Sequence, residues 1–191
     1  MDFREVNKQN LRLAYEIQKE IFPESPDILH IKNSIDSDEK GYKYWIVFEG
    51  ESPIGISGIY TVKADSESVW LSWYGVLPSF RSRGFGRKIL LESIEKCKSL
   101  EAFKYLRLYT AEMDDDDDSS ALPLYDSVMD LCEKYENQDD DTLDNTALIY
   151  SYSLTSEKVL PWDDRYAELN ELHELCDEGE EYIKKYSNQL F

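Results

Sequence analysis

Trp73-Tyr74-Gly75-Val76-Leu77-Pro78-Ser79-Phe80-Arg81-Ser82-Arg83-Gly84-Phe85-Gly86-Arg87-Lys88 runs out of one predicted strand and into the start of one predicted helix. From Ser68 to Leu91, 24 consecutive positions, no acidic residue occurs, while Arg81, Arg83, Arg87 and Lys88 fall inside the stretch. Gly84 and Gly86 lack Cβ atoms, so main-chain N–H groups there can approach a ligand closely. The first turn of a helix adds unpaired donors and the positive end of its dipole. A strand-to-helix turn of this composition reads as a cradle for phosphate.

The surroundings of this island make it more conspicuous. The chain has 191 residues, 21 Lys plus Arg and 40 Asp plus Glu, for a formal charge of −19. Residues 1 to 111 hold 16 acids and 16 bases, and residues 112 to 191 hold 24 acids and 5 bases, so the whole imbalance lies in the second part. A protein that wraps nucleic acid needs a basic face, which this balance excludes. Hydrophobic residues are 41% and aromatics 13%, enough for a packed core. The three cysteines, Cys97, Cys132 and Cys176, are widely spaced and odd in number, which reads as buried or half-buried thiols and not as a disulfide framework. No basic-then-apolar leader and no membrane-length apolar run occurs, so the chain reads as cytoplasmic, with no membrane partner.

Working outward from the turn, residues 2 to 6 read as a strand, 8 to 21 as an amphipathic helix, and Asp27 to Asp36 as a second, shorter helix. Tyr42–Phe48 and Ile54–Val62 form a hairpin about Glu49-Gly50-Glu51, and Ser68–Leu77 follows as a third strand of the meander. Ile89–Leu100 continues the helix after the turn, and Tyr105–Thr110 is the next strand. A helix is expected from Ser120 to about Tyr135, then a polar loop over 136 to 145, a strand over Ala147–Leu154 and a terminal helix over 163 to 186. Hairpins first and strand–helix alternation later point to an α/β fold with a mixed sheet and helices on both faces. The expected organisation is one domain over 1–155 and a helical extension over 156–191 that packs on it, covering a sheet edge or mediating a homodimer.

The turn carries neither the Walker spacing nor the dinucleotide fingerprint, since residue 89 is Ile. It does carry Arg81-x-x-Gly84-x-Gly86 directly after a strand ending Gly75-Val76-Leu77-Pro78, and this resembles the acetyl-CoA motif of the GNAT superfamily of N-acetyltransferases. The element order over 2 to 154 resembles that family too. The resemblance implies a mixed sheet splayed at its central strands and acetyl-CoA as cosubstrate. It implies that Val76 and Leu77 offer main-chain groups to the pantetheine arm. It further implies that the Arg81, Ser82, Arg83, Gly84, Phe85, Gly86, Arg87 and Lys88 segment holds the pyrophosphate, and that an amide near Val76 polarises the thioester carbonyl.

The implied activity is transfer of the acetyl group to a primary amine of a small molecule or peptide, by direct attack in a ternary complex. Tyr125 matches the position of the family's acid that protonates the leaving thiolate; a core or cofactor-packing tyrosine is the other reading. After Tyr125 the sequence departs from the family's pattern, with Asp126-Ser127-Val128-Met129-Asp130 read as continuing helix, so the next strand is expected to be short, displaced or missing. Trp70, Ser72 and Tyr74 occupy the strand positions where some members carry a base, and none is one near neutral pH. His30 and His173 read as surface or packing residues. A relay to a distant carboxylate or uptake of a neutral amine remain the routes for the proton, and a non-catalytic acyl-CoA sensor remains the rival function.

The acidic runs Asp114–Asp118 and Asp139–Asp141 read as solvated loops or as a funnel for a cationic acceptor. They do not read as a metal site, because consecutive Asp cannot all face one ion and the calcium-loop spacing is absent.

Overall fold

The computed structural model describes residues 1–62, 65–111, 121–136 and 146–160. In chain order these form β1 (Asp2–Glu5), α1 (Leu11–Ile21), α2 (Ile28–Asp36), β2 (Lys43–Glu49), β3 (Ser52–Val62), β4 (Asp65–Leu71), β5 (Gly75–Val76), a single 3₁₀ turn (Pro78–Phe80), α3 (Phe85–Ser99), β6 (Tyr105–Ala111), α4 (Leu122–Asp126), β7 (Asp130–Glu136) and β8 (Thr146–Ser153). The strands make one sheet in the order β1-β2-β3-β4-β6-β8-β7, with β5 paired to β3. The β4–β6 pair is parallel and every other pair is antiparallel.

Period-two alternation sorts side chains to the two faces. On β2, Tyr44, Ile46 and Phe48 join Leu11, Ile17, Ile28 and Ile31 beneath α1 and α2. Trp45 instead faces the other side, with Ile59, Val69, Leu90, Ile94 and Leu106 beneath α3 and α4. The mixed sheet with helices on both faces therefore stands as expected. α2 starts where Asp27 caps it, the carboxylate Oδ1 accepting the His30 N–H at 2.9 Å.

Two elements differ from the sequence reading. The expected strand Ser68–Leu77 is two pieces, β4 and β5, separated at Ser72–Tyr74. Ile59 faces Leu71, but Ile56 faces Gly75, so one extra residue is accommodated between them as a bulge. The expected helix from Ser120 to Tyr135 is also overturned: α4 ends at Asp126, and Asp130–Glu136 is the edge strand β7, paired antiparallel with β8. The strand that was expected to be short, displaced or missing is thus present. Its pairing shifts between Leu131 and Glu133, leaving Cys132 as an extra residue. That bulge breaks the alternation that would have marked a strand in the sequence. The expected terminal helix, the loop runs Asp114–Asp118 and Asp139–Asp141, Cys176 and His173 lie outside the described residues.

The break at Ser72–Tyr74 opens the sheet. β4 and β6 are paired only over Ser68–Trp70 against Tyr105–Arg107. Beyond that point β5 pairs with β3 and the rest of β6 pairs with β8, so the two central strands diverge. At the base of the divergence the guanidinium of Arg107, 3% exposed, donates to Ser68 Oγ at 3.0 Å and to Ser151 Oγ at 2.7 Å, with the buried Asp65 carboxylate 3.2 Å away. Three strands are thereby joined where the sheet splits.

Candidate functional site

The opening between β5 and β6 is bordered by the turn that leads into α3. Leu77 closes the β5 end: its N–H donates to Ile54 O at 2.9 Å and its carbonyl accepts Phe80 N–H at 2.8 Å. Since Leu77 and Ile54 form a hydrogen-bonded pair, the alternation of an antiparallel ladder turns the main chain of Val76 away from β3, toward the opening. Its carbonyl there accepts from Arg81 Nε at 3.1 Å. The two residues expected to act together therefore differ. Val76 faces the gap with its main chain, whereas Leu77 spends its own on the sheet and the following turn and buries its side chain.

The turn has the backbone of an anion nest. Ser82 and Gly84 both have positive φ, 59° and 75°. Gly84 is the residue preceding α3, and no side chain caps that helix end. The first amides of α3 consequently point outward without intrahelical partners. A Cβ on Gly84 would meet nothing within 4 Å, so what requires glycine is its left-handed conformation. Arg81, Arg83, Arg87 and Lys88 are all exposed, and none is held by a carboxylate among the described residues. Arg83 lies over Phe80 and Lys88 over Phe85, at 5.4 Å from each ring centre. Uncapped amides, two left-handed residues and four cations free of acidic partners fit a pyrophosphate group.

Two tyrosines pack on the α3–α4 face of the sheet. Tyr74, in the bulge, donates its hydroxyl to Gly86 O at 2.6 Å and so ties the bulge to the first turn of α3. Its ring centre is 6.3 Å from that of Tyr125 on α4, which is in turn 5.6 Å from Tyr150 on β8. Tyr125 is buried, and burial pushes its phenol up to about 12. Arg87 holds α4 beside the cradle by donating to Ser127 Oγ at 2.7 Å. α4, which carries Tyr125, thus lies beside the first turn of α3.

On the opposite face the structure assembles a group that sequence reasoning missed. Asp27 is completely buried, and its Oδ2 is shared by His30 Nδ1, at 2.5 Å, and by the Trp73 indole N–H. Trp73 belongs to the bulge, 46 residues from Asp27. The Asp27 N–H donates to Gln18 Oε1 at 3.1 Å, and Gln18 Nε2 donates to Ser25 O at 2.7 Å, which closes the loop between α1 and α2. Ser72 hydrogen-bonds Tyr44 OH at 2.5 Å, and Trp70 is fully buried, so neither faces the opening as a base. The Asp27-x-x-His30 spacing at a helix start was a usable local signal, since it sets both residues on the first turn. The long-range Trp73 contact left no trace in the sequence.

Comparison with known proteins agrees with this geometry. The model of the Acetyltransferase (GNAT) family matches residues 8–129. A structure from Desulfovibrio desulfuricans assigned to the GNAT acetyltransferases superposes with a TM-score of 0.67 at 17% identity, over 81% of this chain and 99% of that one. A chimera of the spermidine N-acetyltransferase SpeG from Vibrio cholerae gives 0.64 at 13% identity, over 89% and 99%. The NAA60 protein of Arabidopsis thaliana, solved with a bisubstrate analogue, gives 0.62 at 16%, over 80% and 97%. No curated protein sequence matches the chain. The chain belongs to the GNAT family of acetyltransferases. Acetyl-CoA-dependent acyl transfer is the general chemistry that membership carries. No helix among the described residues is long and apolar enough to cross a membrane.

Proposed function

We propose that this protein transfers the acetyl group of acetyl-CoA to a primary amine, of a small molecule or a peptide, by direct attack in a ternary complex. The observation that carries the reading is the coincidence of the split sheet with the uncapped, acid-free start of α3: the thioester arm and the pyrophosphate of one ligand would lie along a continuous path. The Val76 main chain would pair with the pantetheine arm once Arg81 yields its carbonyl. The amides of Arg83 to Arg87 would hold the pyrophosphate, the Lys88 N–H already donating to Gly84 O at 3.3 Å, and Tyr125 would protonate the departing thiolate.

A cationic amine is the favoured acceptor, on the net charge of −13 over residues 112 to 145. Several structural neighbours are spermidine N-acetyltransferases, which is compatible with that preference. We further infer a cytoplasmic protein in which residues 156–191 extend the domain. The rival reading, an acyl-CoA sensor without turnover, draws on Trp70, Ser72 and Tyr74, which leave the central strand without a base.

One experiment separates the two. Thiol release from acetyl-CoA is followed across a panel of polyamines, amino acids, aminoglycosides and N-terminal peptides, with thermal stabilisation by acetyl-CoA, ATP and NAD measured in parallel. Turnover with at least one amine is expected, with stabilisation by acetyl-CoA alone. Stabilisation without turnover on any amine favours the sensor, and stabilisation by ATP or NAD in preference to acetyl-CoA overturns both readings.

A further inference from the structure

The geometry points to His30 as the group that takes the proton from the acceptor amine, with Asp27 and Trp73 as its positioning residues; this rests on the acetyltransferase reading above. Asp27 is fully buried, and a carboxylate is costly to bury unless several donors converge on it. Three do: the His30 N–H, His30 Nδ1 and the Trp73 indole. A carboxylate opposite Nδ1 holds the proton on that nitrogen and leaves Nε2 with its lone pair exposed, which is how a neutral imidazole is prepared to accept a proton. Nε2 makes no hydrogen bond among the described residues, and it is not one of the buried polar atoms that lack a partner. The imidazole is 12% exposed, whereas the carboxylate behind it is sealed. The basic edge of the ring is therefore the one that meets solvent.

Trp73 ties this pair to the split in the sheet. It sits in the bulge that splits the sheet, so the indole N–H on Asp27 ties the carboxylate to the chain two residues before Gly75. The titratable groups facing the pair are Tyr42, whose hydroxyl donates to His30 O at 3.0 Å, Tyr44 on β2, and Glu39, which acts on Tyr42. Burial and the Asp27 charge hold both phenols protonated well above the ordinary tyrosine range. Among the described residues the thiols do not compete, since burial pushes Cys97 up to about 12 and also raises Cys132. His30 is the one imidazole among the described residues, a ring that can carry a proton on one nitrogen and accept one on the other.

The step balances as follows. The amine nitrogen forms a C–N bond to the thioester carbonyl carbon, and the C–S bond breaks. The proton lost from nitrogen goes to His30 Nε2, the thiolate takes one from Tyr125, and imidazolium and phenolate exchange that proton through solvent.

The test uses the whole chain and an amine turned over in the panel. His30→Asn places an amide nitrogen near the position of Nδ1, so the bond to Asp27 and the fold are retained while the base is removed. The variant should lose roughly 10²-fold or more in kcat, the scale of about 10²–10⁴-fold typical of general-base catalysis, with the affinity for acetyl-CoA unchanged. A second readout needs no variant to fold: ¹⁵N spectra of the wild-type imidazole, assigned to His30, should show the proton on Nδ1. A kcat retained in the variant, or a neutral wild-type ring protonated on Nε2, overturns the proposal while leaving the acetyltransferase reading intact. Failure of that reading has a different signature: no amine is turned over by the wild type itself.

Discussion

At the scale of single residues, the site is shaped by what burial does to ionisable groups. Tyr125 lies under Tyr74 and Tyr150, and desolvation lifts its phenol to about 12. A raised phenol keeps its proton until the pH approaches that value, so as the proposed acid Tyr125 holds its proton at neutral pH and loses it only as the pH rises toward 12. Two outcomes follow for Tyr125→Phe. Its kcat should fall by roughly 10²-fold or more, the scale of about 10²–10⁴-fold that a positioned acid contributes, and its affinity for acetyl-CoA should barely change. The wild-type kcat should stay flat between pH 8.5 and 10.5, values chosen about the ordinary tyrosine pKa of ~10. An unchanged kcat in Tyr125→Phe removes this residue from the chemistry, and a wild-type limb near 10 contradicts its burial. Both are read from a steady-state pH series.

At the scale of elements, the decisive feature is that β4 stops at Leu71 and β5 resumes at Gly75 on the same partner, β3. The close approach of β5 depends on Gly55, where an added Cβ would lie 2.3 Å from the Gly75 carbonyl oxygen. That oxygen is main chain and cannot swing aside. Gly55→Ala should therefore push β5 off β3, lowering stability by about 1–3 kcal/mol, the usual cost of overpacking, and weakening acetyl-CoA binding at the same time. Denaturant midpoints and a binding titration would measure the two effects together. Loss of stability with binding intact would show that β5 does not set the width of the opening. β7 is instructive in another way. Met129, Cys132 and Tyr135 recur at near-helical spacing, and the Cys132 bulge removes the alternation, so the local pattern favours helix. Pairing with β8 overrides it, a contact between segments that are not local neighbours.

For the whole molecule, charge is divided as the chain is. Residues 1 to 111 sum to zero and contain the basic turn, while residues 112 to 191 carry the entire −19. Near-neutral surroundings let four cations in the turn act on an anionic ligand, since an evenly acidic surface would oppose it. For a cationic amine the acidic part would raise the local substrate concentration, and salt would screen that attraction beyond the Debye length of about 10 Å at 0.1 M. KM for a polyamine should rise several-fold between roughly 0.05 and 0.5 M salt. Replacing Asp139, Asp140 and Asp141 by Asn should raise it at low salt while leaving KM for acetyl-CoA unchanged. An amine KM indifferent to both changes would make these runs ordinary solvated loops.

Composition and local pattern determined the class of this protein. The acid-free stretch, the two glycines and the strand-to-helix placement are properties of neighbouring residues, and they sufficed to indicate the α/β fold and the cradle, whereas Tyr125 was singled out only by the family resemblance that this stretch carries. Helix and strand faces were legible for the same reason, since period two and period 3.6 are local. Tertiary structure decided what depends on distant partners: which main-chain groups of Val76 and Leu77 remain for a ligand, where β4 breaks, and that Asp130–Glu136 is a strand. It also decided the fate of His30. In the sequence His30 is one polar residue on a short helix, and only the packing of Trp73 against a buried Asp27 turns it into an oriented base. Charge and periodicity are written along the chain, whereas the environment that tunes a proton acceptor is created by residues brought together in folding.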